Sequence, residues 1–169
     1  MNVALSANCP LQIQGCLAQV EIVGTTGPVD AFLSYGGIFL FDTAGDINVR
    51  TAPEEKIVFS GCRGRVALRS GVEIDIKLTD QIFQGSLEAS TSDEPIRVLL
   101  PEHFRSSFEA SAPEVICRAD IASQTQRYQK EERTILTFGG AASNAIRLES
   151  FWGPIVIDNV SKEYSDLGR

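Results

Sequence analysis

The feature that most constrains this chain is the period-two alternation of apolar and polar residues. It runs through Leu11-Gln12-Ile13-Gln14, Ala18-Gln19-Val20-Glu21-Ile22, Asp46-Ile47-Asn48-Val49-Arg50 and Val72-Glu73-Ile74-Asp75-Ile76-Lys77-Leu78. Successive side chains of an extended strand point to opposite faces, so each stretch turns one face to a core and the other to water. Shorter apolar runs at 38–41, 57–59, 96–100, 115–117, 134–138 and 154–157 read as further strands. Between them lie clusters of Gly, Pro, Ser, Thr and Asp, at 24–28, 43–46, 70–71 and 90–95, with turn chemistry.

Two stretches depart from this pattern. Residues 101–108 begin with Pro101 at a first-turn position and carry Phe104 and Phe108 one helical turn apart, which predicts one or two turns of helix. Residues 123–133 are polar nearly all round and read as an exposed loop or a long hairpin tip. The chain of 169 residues is 43% apolar, enough for a core without metal or disulfide staples. The expectation is one all-β domain, 1–169, folded as an antiparallel barrel of about ten to twelve short strands.

Local similarities suggest an internal repeat. Gly15-Cys16-Leu17-Ala18-Gln19-Val20 resembles Gly61-Cys62-Arg63-Gly64-Arg65-Val66, and Leu33-Ser34-Tyr35-Gly36-Gly37 resembles Leu136-Thr137-Phe138-Gly139-Gly140. A spacing of about fifty residues divides the chain into units 10–52, 53–112 and 113–160, the scale of a trefoil-like threefold barrel.

The net charge of -7 argues against a nucleic-acid polymer as partner, since that needs a positive footprint. No apolar run approaches the roughly 20 residues of a membrane span. Residues 1–15 carry neither a positive n-region nor an apolar h-region, so a cytoplasmic location is expected. Cys9, Cys16, Cys62 and Cys117 form no CxxC pair, and His103 is the only histidine, so no metal site is expected. Buried thiols are the leading reading for the cysteines, with disulfides of undetermined connectivity as the alternative. His103 sits in no recognisable nucleophile context, and phosphate-loop and dinucleotide motifs are absent. The reading is a non-enzyme without a cofactor.

Three constellations invite a binding role. Arg63, Arg65 and Arg69 share one parity on a strand, and three guanidinium forks in a row suit phosphate or carboxylate recognition. The alternative is a solvated strand face whose arginines pair with Glu73, Asp75 or Glu88 across the sheet. Ser34-Tyr35-Gly36-Gly37 places two glycines in a strand-like run, where a bulge or a sharp bend belongs. Trp152 stands before Gly153-Pro154, and Arg127 and Tyr128 lie on the polar 123–133 tip; all three residue types are common interface anchors.

The stretch from Cys16 to Phe41, with a strand, a Gly-Pro turn and Ser34-Tyr35-Gly36-Gly37-Ile38-Phe39-Leu40, resembles the second-strand region of PilZ domains. Those are small β-barrels, many of which bind cyclic di-GMP through RxxxR and [D/N]xSxxG motifs. Ser34 and Gly37 match the second motif, with Phe32 in place of its Asp or Asn. Arg65-Val66-Ala67-Leu68-Arg69 matches the first, but after the serine rather than before it. The resemblance implies a PilZ-like barrel and a cyclic dinucleotide ligand held by Arg65, Arg69 and Ser34. The main functional expectation is a non-catalytic binding or protein-interaction module. A cyclic-dinucleotide regulator and a structural subunit of a larger assembly are the alternatives.

Overall fold

The computed structural model describes residues 8–15, 19–52, 55–139 and 146–160. The alternating stretches are strands, but they do not form an antiparallel barrel. They build a parallel β-solenoid, in which the chain passes back and forth between two facing sheets. Sheet A holds β1 (Leu11–Gly15), β3 (Val29–Leu33), β5 (Ala44–Thr51), β7 (Arg63–Ser70), β9 (Gly85–Thr91), β11 (Phe108–Ala112), β13 (Gln126–Lys130), β14 (Arg133–Phe138) and β15 (Ile146–Ser150). Sheet B holds β2 (Val20–Val23), β4 (Ile38–Phe41), β6 (Ile57–Ser60), β8 (Ile74–Lys77), β10 (Ile96–Leu100), β12 (Val115–Cys117) and β16 (Ile155–Asn159). Each consecutive pair but β13–β14, such as β3 and β4, makes one rung.

Alternation reports that one face of a strand is buried, not which way its neighbour runs. The turn clusters lead to the opposite sheet rather than back along the same one, so hairpin signals here are solenoid corners. The repeat on which strands pair is also shorter than fifty residues. Val29, Ile47, Val66 and Leu87 stack in register through β3, β5, β7 and β9. The trefoil and PilZ-like barrels are therefore both replaced. The Ile-x-apolar strands at 47–49 and 96–98, alike in sequence, fall in different sheets.

The order of strands in sheet A is β1-β3-β5-β7-β9-β15-β11-β14-β13, and in sheet B β12-β16-β10-β8-β6-β4-β2. From β1 to β10 every rung lies on its predecessor. The last rung, β15–β16, breaks this order by seating between rung β9–β10 and rung β11–β12. Ile146 is registered with Leu87 on one side and Phe108 on the other. Ile155 is likewise registered with Ile96 and Val115. The antiparallel hairpin β13–β14 closes the end of sheet A on β11.

Inward residues form columns along the stack. Ile38, Ile57, Ile74, Ile96 and Ile155 make one, each fully buried. Burial of each such side chain contributes about 1.5–3 kcal/mol. Where the last rung inserts, Leu78, Val98, Leu100, Phe108, Ile146, Leu148 and Ile157 surround a void of only about 10 Å³, so the rung packs as tightly as the rest of the core.

Two polar and backbone devices fix the corners. Thr51, Ser70, Thr91 and Ser150 end their sheet A strands pointing inward and are buried. Their hydroxyls satisfy corner carbonyls: Ser70 donates to the Glu55 carbonyl at 2.7 Å, and Thr91 to the Glu94 carbonyl at 2.8 Å. At the opposite corner Gly45, Gly64 and Gly85 stack in register with φ of 119°, 108° and 138°. A Cβ at Gly85 would fall 1.9 Å from the Gly64 carbonyl oxygen, so only glycine fits.

The helix expected over 101–108 does not form: this stretch is turn and bend until β11 begins at Phe108. Phe104 and Phe108 pack not as helical neighbours but both against Phe138, with ring centroids 6.5 and 5.7 Å away. The 123–133 stretch is the exposed hairpin arm: β13 is solvent-exposed throughout, and Glu131 takes a φ of 58° at the tip.

Candidate binding surface

The outward face of sheet A carries the arginine row. On β7, Val66, Leu68 and Ser70 point inward, which leaves Arg63, Arg65 and Arg69 exposed on the other side. The parallel register adds a residue that sequence reasoning passed over. Arg50 on β5 lies directly beside Arg69, and Phe32 on β3, 42% exposed, lies beside Arg50. The row continues on the other side of Arg69 with Ser90 on β9. The signal for Arg50 was its separation from Arg69 by one solenoid turn, visible only once the turn length is known.

Outside the row, Lys56, Arg97, Arg118, Arg133 and Arg147 are ion-paired, whereas Lys77, Arg105, Arg127 and Lys130 have no ion pair among the described residues. Arg65 approaches Asp46 at 3.9 Å, with both side chains at least 70% exposed, a contact of little energetic weight. Arg50, Arg63 and Arg69 have no ion-pair partner among the described residues. Two like charges on adjacent strands, about 4.8 Å apart, repel. The carboxylates expected to neutralise the row face elsewhere. Glu73 and Asp75 belong to the outer side of sheet B, where Lys56 pairs with both and Arg97 pairs with Glu73. Burial pulls the Lys56 ammonium down, but its hydrogen bond to Asp75 and the charges of Asp75 and Glu73 outweigh that and raise its pKa above the ordinary lysine value. Glu88 on β9 sits between Ala67 of β7 and Arg147 of β15, not beside an arginine of the row.

Next to the row, the starts of the same strands form a shallow trough of about 670 Å³. Pro10 and Pro28 wall it, and Gln12, Asp30, Asp46, Asn48 and Arg65 line it. Its floor is partly self-satisfied, since the Asn48 amide donates to Asp30 at 2.8 Å.

The remaining predicted residues fall in three places. Ser34, Gly36 and Gly37 form the corner between β3 and β4, with Gly36 at φ 111° and the Ser34 amide donating to the Gly15 carbonyl at 3.0 Å. Ser34 follows β3, whereas Arg65 and Arg69 lie on β7, two strands along the sheet. Arg127 is a structural strut, its guanidinium donating to the Val115 carbonyl at 2.7 Å, while Tyr128 beside it is 48% exposed. Trp152 is 77% exposed at the corner between β15 and β16, next to Phe151, over whose ring Arg133 lies at 5.6 Å.

His103 is an exposed turn residue with a φ of 59°. Its backbone N–H donates to Asp120 at 2.8 Å, and this bond holds the Asp120 carboxyl below the usual carboxylate range. Cys9, Cys62 and Cys117 are free thiols; Cys16 lies outside the described residues. Burial pushes the Cys62 thiol up, which suits an unreactive core sulfur that accepts a hydrogen bond from the Thr43 hydroxyl at 2.9 Å. Among the described residues no cluster of three His, Cys, Asp or Glu could hold a metal ion, and no helix is long and apolar enough to cross a membrane. No protein-family model, no curated protein and no solved structure matches this chain.

Proposed function

We propose that the protein is a non-catalytic binding module whose recognition surface is the arginine row of sheet A. Its partner is an acidic segment of another protein, laid along the outward face of β5 and β7. One observation carries this reading: Arg50 and Arg69 stand side by side with no carboxylate within ion-pair distance among the described residues. An acidic chain laid across them would relieve their mutual repulsion and gain charge-assisted hydrogen bonds to the guanidinium forks. Phe32 extends the row with apolar surface. The rigid sheet holds the side chains at fixed spacing, which lowers the ordering cost of binding.

The test is fluorescence anisotropy with a labelled oligoglutamate peptide at low salt. The wild-type protein is expected to bind it and to lose affinity as salt rises. The double reversal R50E/R69E should weaken binding at least about tenfold, while R105E, on a distant loop, should change it far less. Equal binding by wild type and R50E/R69E contradicts the proposal. Calorimetry with cyclic di-GMP is the second arm. Heat that disappears in R65A, R69A and S34A would replace the acidic-segment reading with the cyclic-dinucleotide one.

A further inference from the structure

Four of the five exposed aromatic side chains among the described residues gather where the strands of sheet A end. Phe32 and Tyr35 bracket the end of β3, and Phe151 and Trp152 lie just past the end of β15. Arg50 and Arg69 stand between the two pairs. Across the sheet the register row reads Phe32, Arg50, Arg69, Ser90 and Glu149. Phe151 follows Glu149 by two residues. Its amide donates to the Thr91 carbonyl at 3.1 Å, which carries the ladder one residue beyond β15. The parity of the strand turns Phe151 outward, where Arg133 lies over its ring.

Both aromatic pairs stand on fixed backbone. The Trp152 amide donates to the Ser92 carbonyl at 2.9 Å, and a Cβ at Gly153 would collide with the Glu94 carbonyl. Phe32 sits on a strand paired on both sides, with β1 and with β5. The Trp152 indole is nonetheless 77% exposed. A large ring presented to water from a rigid corner loses little entropy when a partner covers it.

Carboxylates stand beside each pair. Asp30 precedes Phe32 by two residues on the same face of β3, and Asp93 and Glu94 belong to the corner against which Trp152 and Gly153 rest. Glu149, the carboxylate of the row itself, is paired with Arg133 at 3.5 Å. The surface therefore favours negative charge over Arg50 and Arg69, and uncharged apolar groups on either side. A uniformly acidic chain would meet like charge at both ends.

The span sets the length of the occupant. Phe32 and Phe151 are four strand spacings apart across the sheet and two residues apart along it, or about 20 Å. Seven extended residues cover that distance.

Resting on the acidic-segment reading above, we propose that the partner segment is acidic only at its centre and carries an apolar side chain at each end. Its acidic residues sit over Arg50 and Arg69. One apolar residue packs on Phe32 and Tyr35, and the other on Phe151 and Trp152. The arginines attract acidic chains in general, and the aromatic pairs select among them.

Fluorescence anisotropy tests this with two labelled peptides, Leu-Gly-Glu-Glu-Gly-Gly-Leu and the same peptide with serine in place of both leucines. The wild-type protein is expected to bind the leucine peptide at least about tenfold more tightly. F32S and the double variant F151S/W152S should each cut that preference to about threefold or less, with affinity for the serine peptide unchanged within about twofold. R50E/R69E should weaken both peptides. The two aromatic variants lie on different rungs, so a local disturbance at one leaves the other informative. A leucine preference that survives in both overturns the proposal. Equal binding of the two peptides by wild type also overturns it and leaves the acidic-segment reading standing. Binding of neither peptide removes that reading, and this inference with it.

Discussion

From β1 to β10 the chain lays each rung on the one before it, whereas from β11 onward it leaves a gap and returns to fill it. The two regions use the same local material: inward aliphatic columns, outward polar rows and hydroxyl-capped corners. They differ in how far apart in sequence their contacts are. In the sequential stack, Ile47 finds Val66 one turn later; Ile146 finds Leu87 only after 59 residues. The entropy of closing that longer loop adds about 1 kcal/mol over a single solenoid turn. Local contacts form first and cheaply, so the sequential stack is the natural nucleus and the inserted rung the last piece to dock. The corner devices differ as well. Both use glycines that allow no side chain, Gly45, Gly64 and Gly85 in the stack and Gly153 in the rung, but the rung is also held by long side chains: Arg133 reaching in from β14 and its own Asn159 reaching out to Asp120.

The largest expected effect breaks the stack at its glycine column. Gly85→Val places a side chain against the Gly64 carbonyl and forces a β-branched residue into positive φ. It should cost about 4 kcal/mol or more, measured by urea denaturation, or abolish folding. Stability close to wild type would show that the rungs do not approach so closely there.

Ile38→Ala and Ile155→Ala then separate the two regions within one column. Both residues are fully buried, and each truncation should cost about 3 kcal/mol. Native-state hydrogen exchange should tell them apart. Ile38→Ala should lower protection mainly in β2, β4 and β6. Ile155→Ala should lower it in β10 and β12 together, both far from Ile155 in sequence, because among the described residues the inserted rung is their only link in sheet B. Loss confined to one of that pair contradicts the insertion.

A smaller effect tests the side-chain clamp. Arg133→Met keeps the apolar stem but removes two carbonyl hydrogen bonds and the ion pair to Glu149, and should cost about 2 kcal/mol in thermal or urea unfolding. The loss should concentrate in the exchange rates of β15 and leave β3 and β5 unchanged.

The smallest effect concerns pH. The Lys56 pKa is raised in the folded state, so its contribution is fully present below the ordinary lysine pKa and is lost as pH rises through the folded value. Lys56→Met should therefore remove part of the alkaline loss of stability, by less than about 1 kcal/mol because the pair is partly exposed. An unchanged alkaline limb of the stability curve would show that the pairs with Glu73 and Asp75 carry no weight.

Much of this architecture was legible in the sequence, though in the wrong units. Alternation identified strands and their buried faces correctly at Leu11-Gln12-Ile13-Gln14 and at Ile74-Asp75-Ile76-Lys77, because burial of one face is what alternation encodes. Strand direction was not encoded there: a two-residue turn and a solenoid corner draw on the same Gly, Ser and Asp. The decisive period was nonetheless present. Gly27, Gly45, Gly64 and Gly85 are each followed two residues later by Val29, Ile47, Val66 and Leu87, a repeat every 18 to 21 residues. The fifty-residue comparison spanned more than two turns, matching β5 with β10 of the opposite sheet and β3 with β14 of the hairpin, and so hid it. The parity of Arg63, Arg65 and Arg69 on one face was readable, whereas Arg50 needed the inter-rung register. The insertion of β15–β16 was not readable at all, since nothing in Ile146-Arg147-Leu148 distinguishes a rung that caps the stack from one that enters it.

The most direct test of the inserted rung is the pattern of nuclear Overhauser contacts across sheet A in solution. Ile146 should show backbone contacts to both Leu87 and Phe108, with none between Leu87 and Phe108 themselves. Direct contacts between Leu87 and Phe108, with Ile146 touching neither or only one of them, would contradict it.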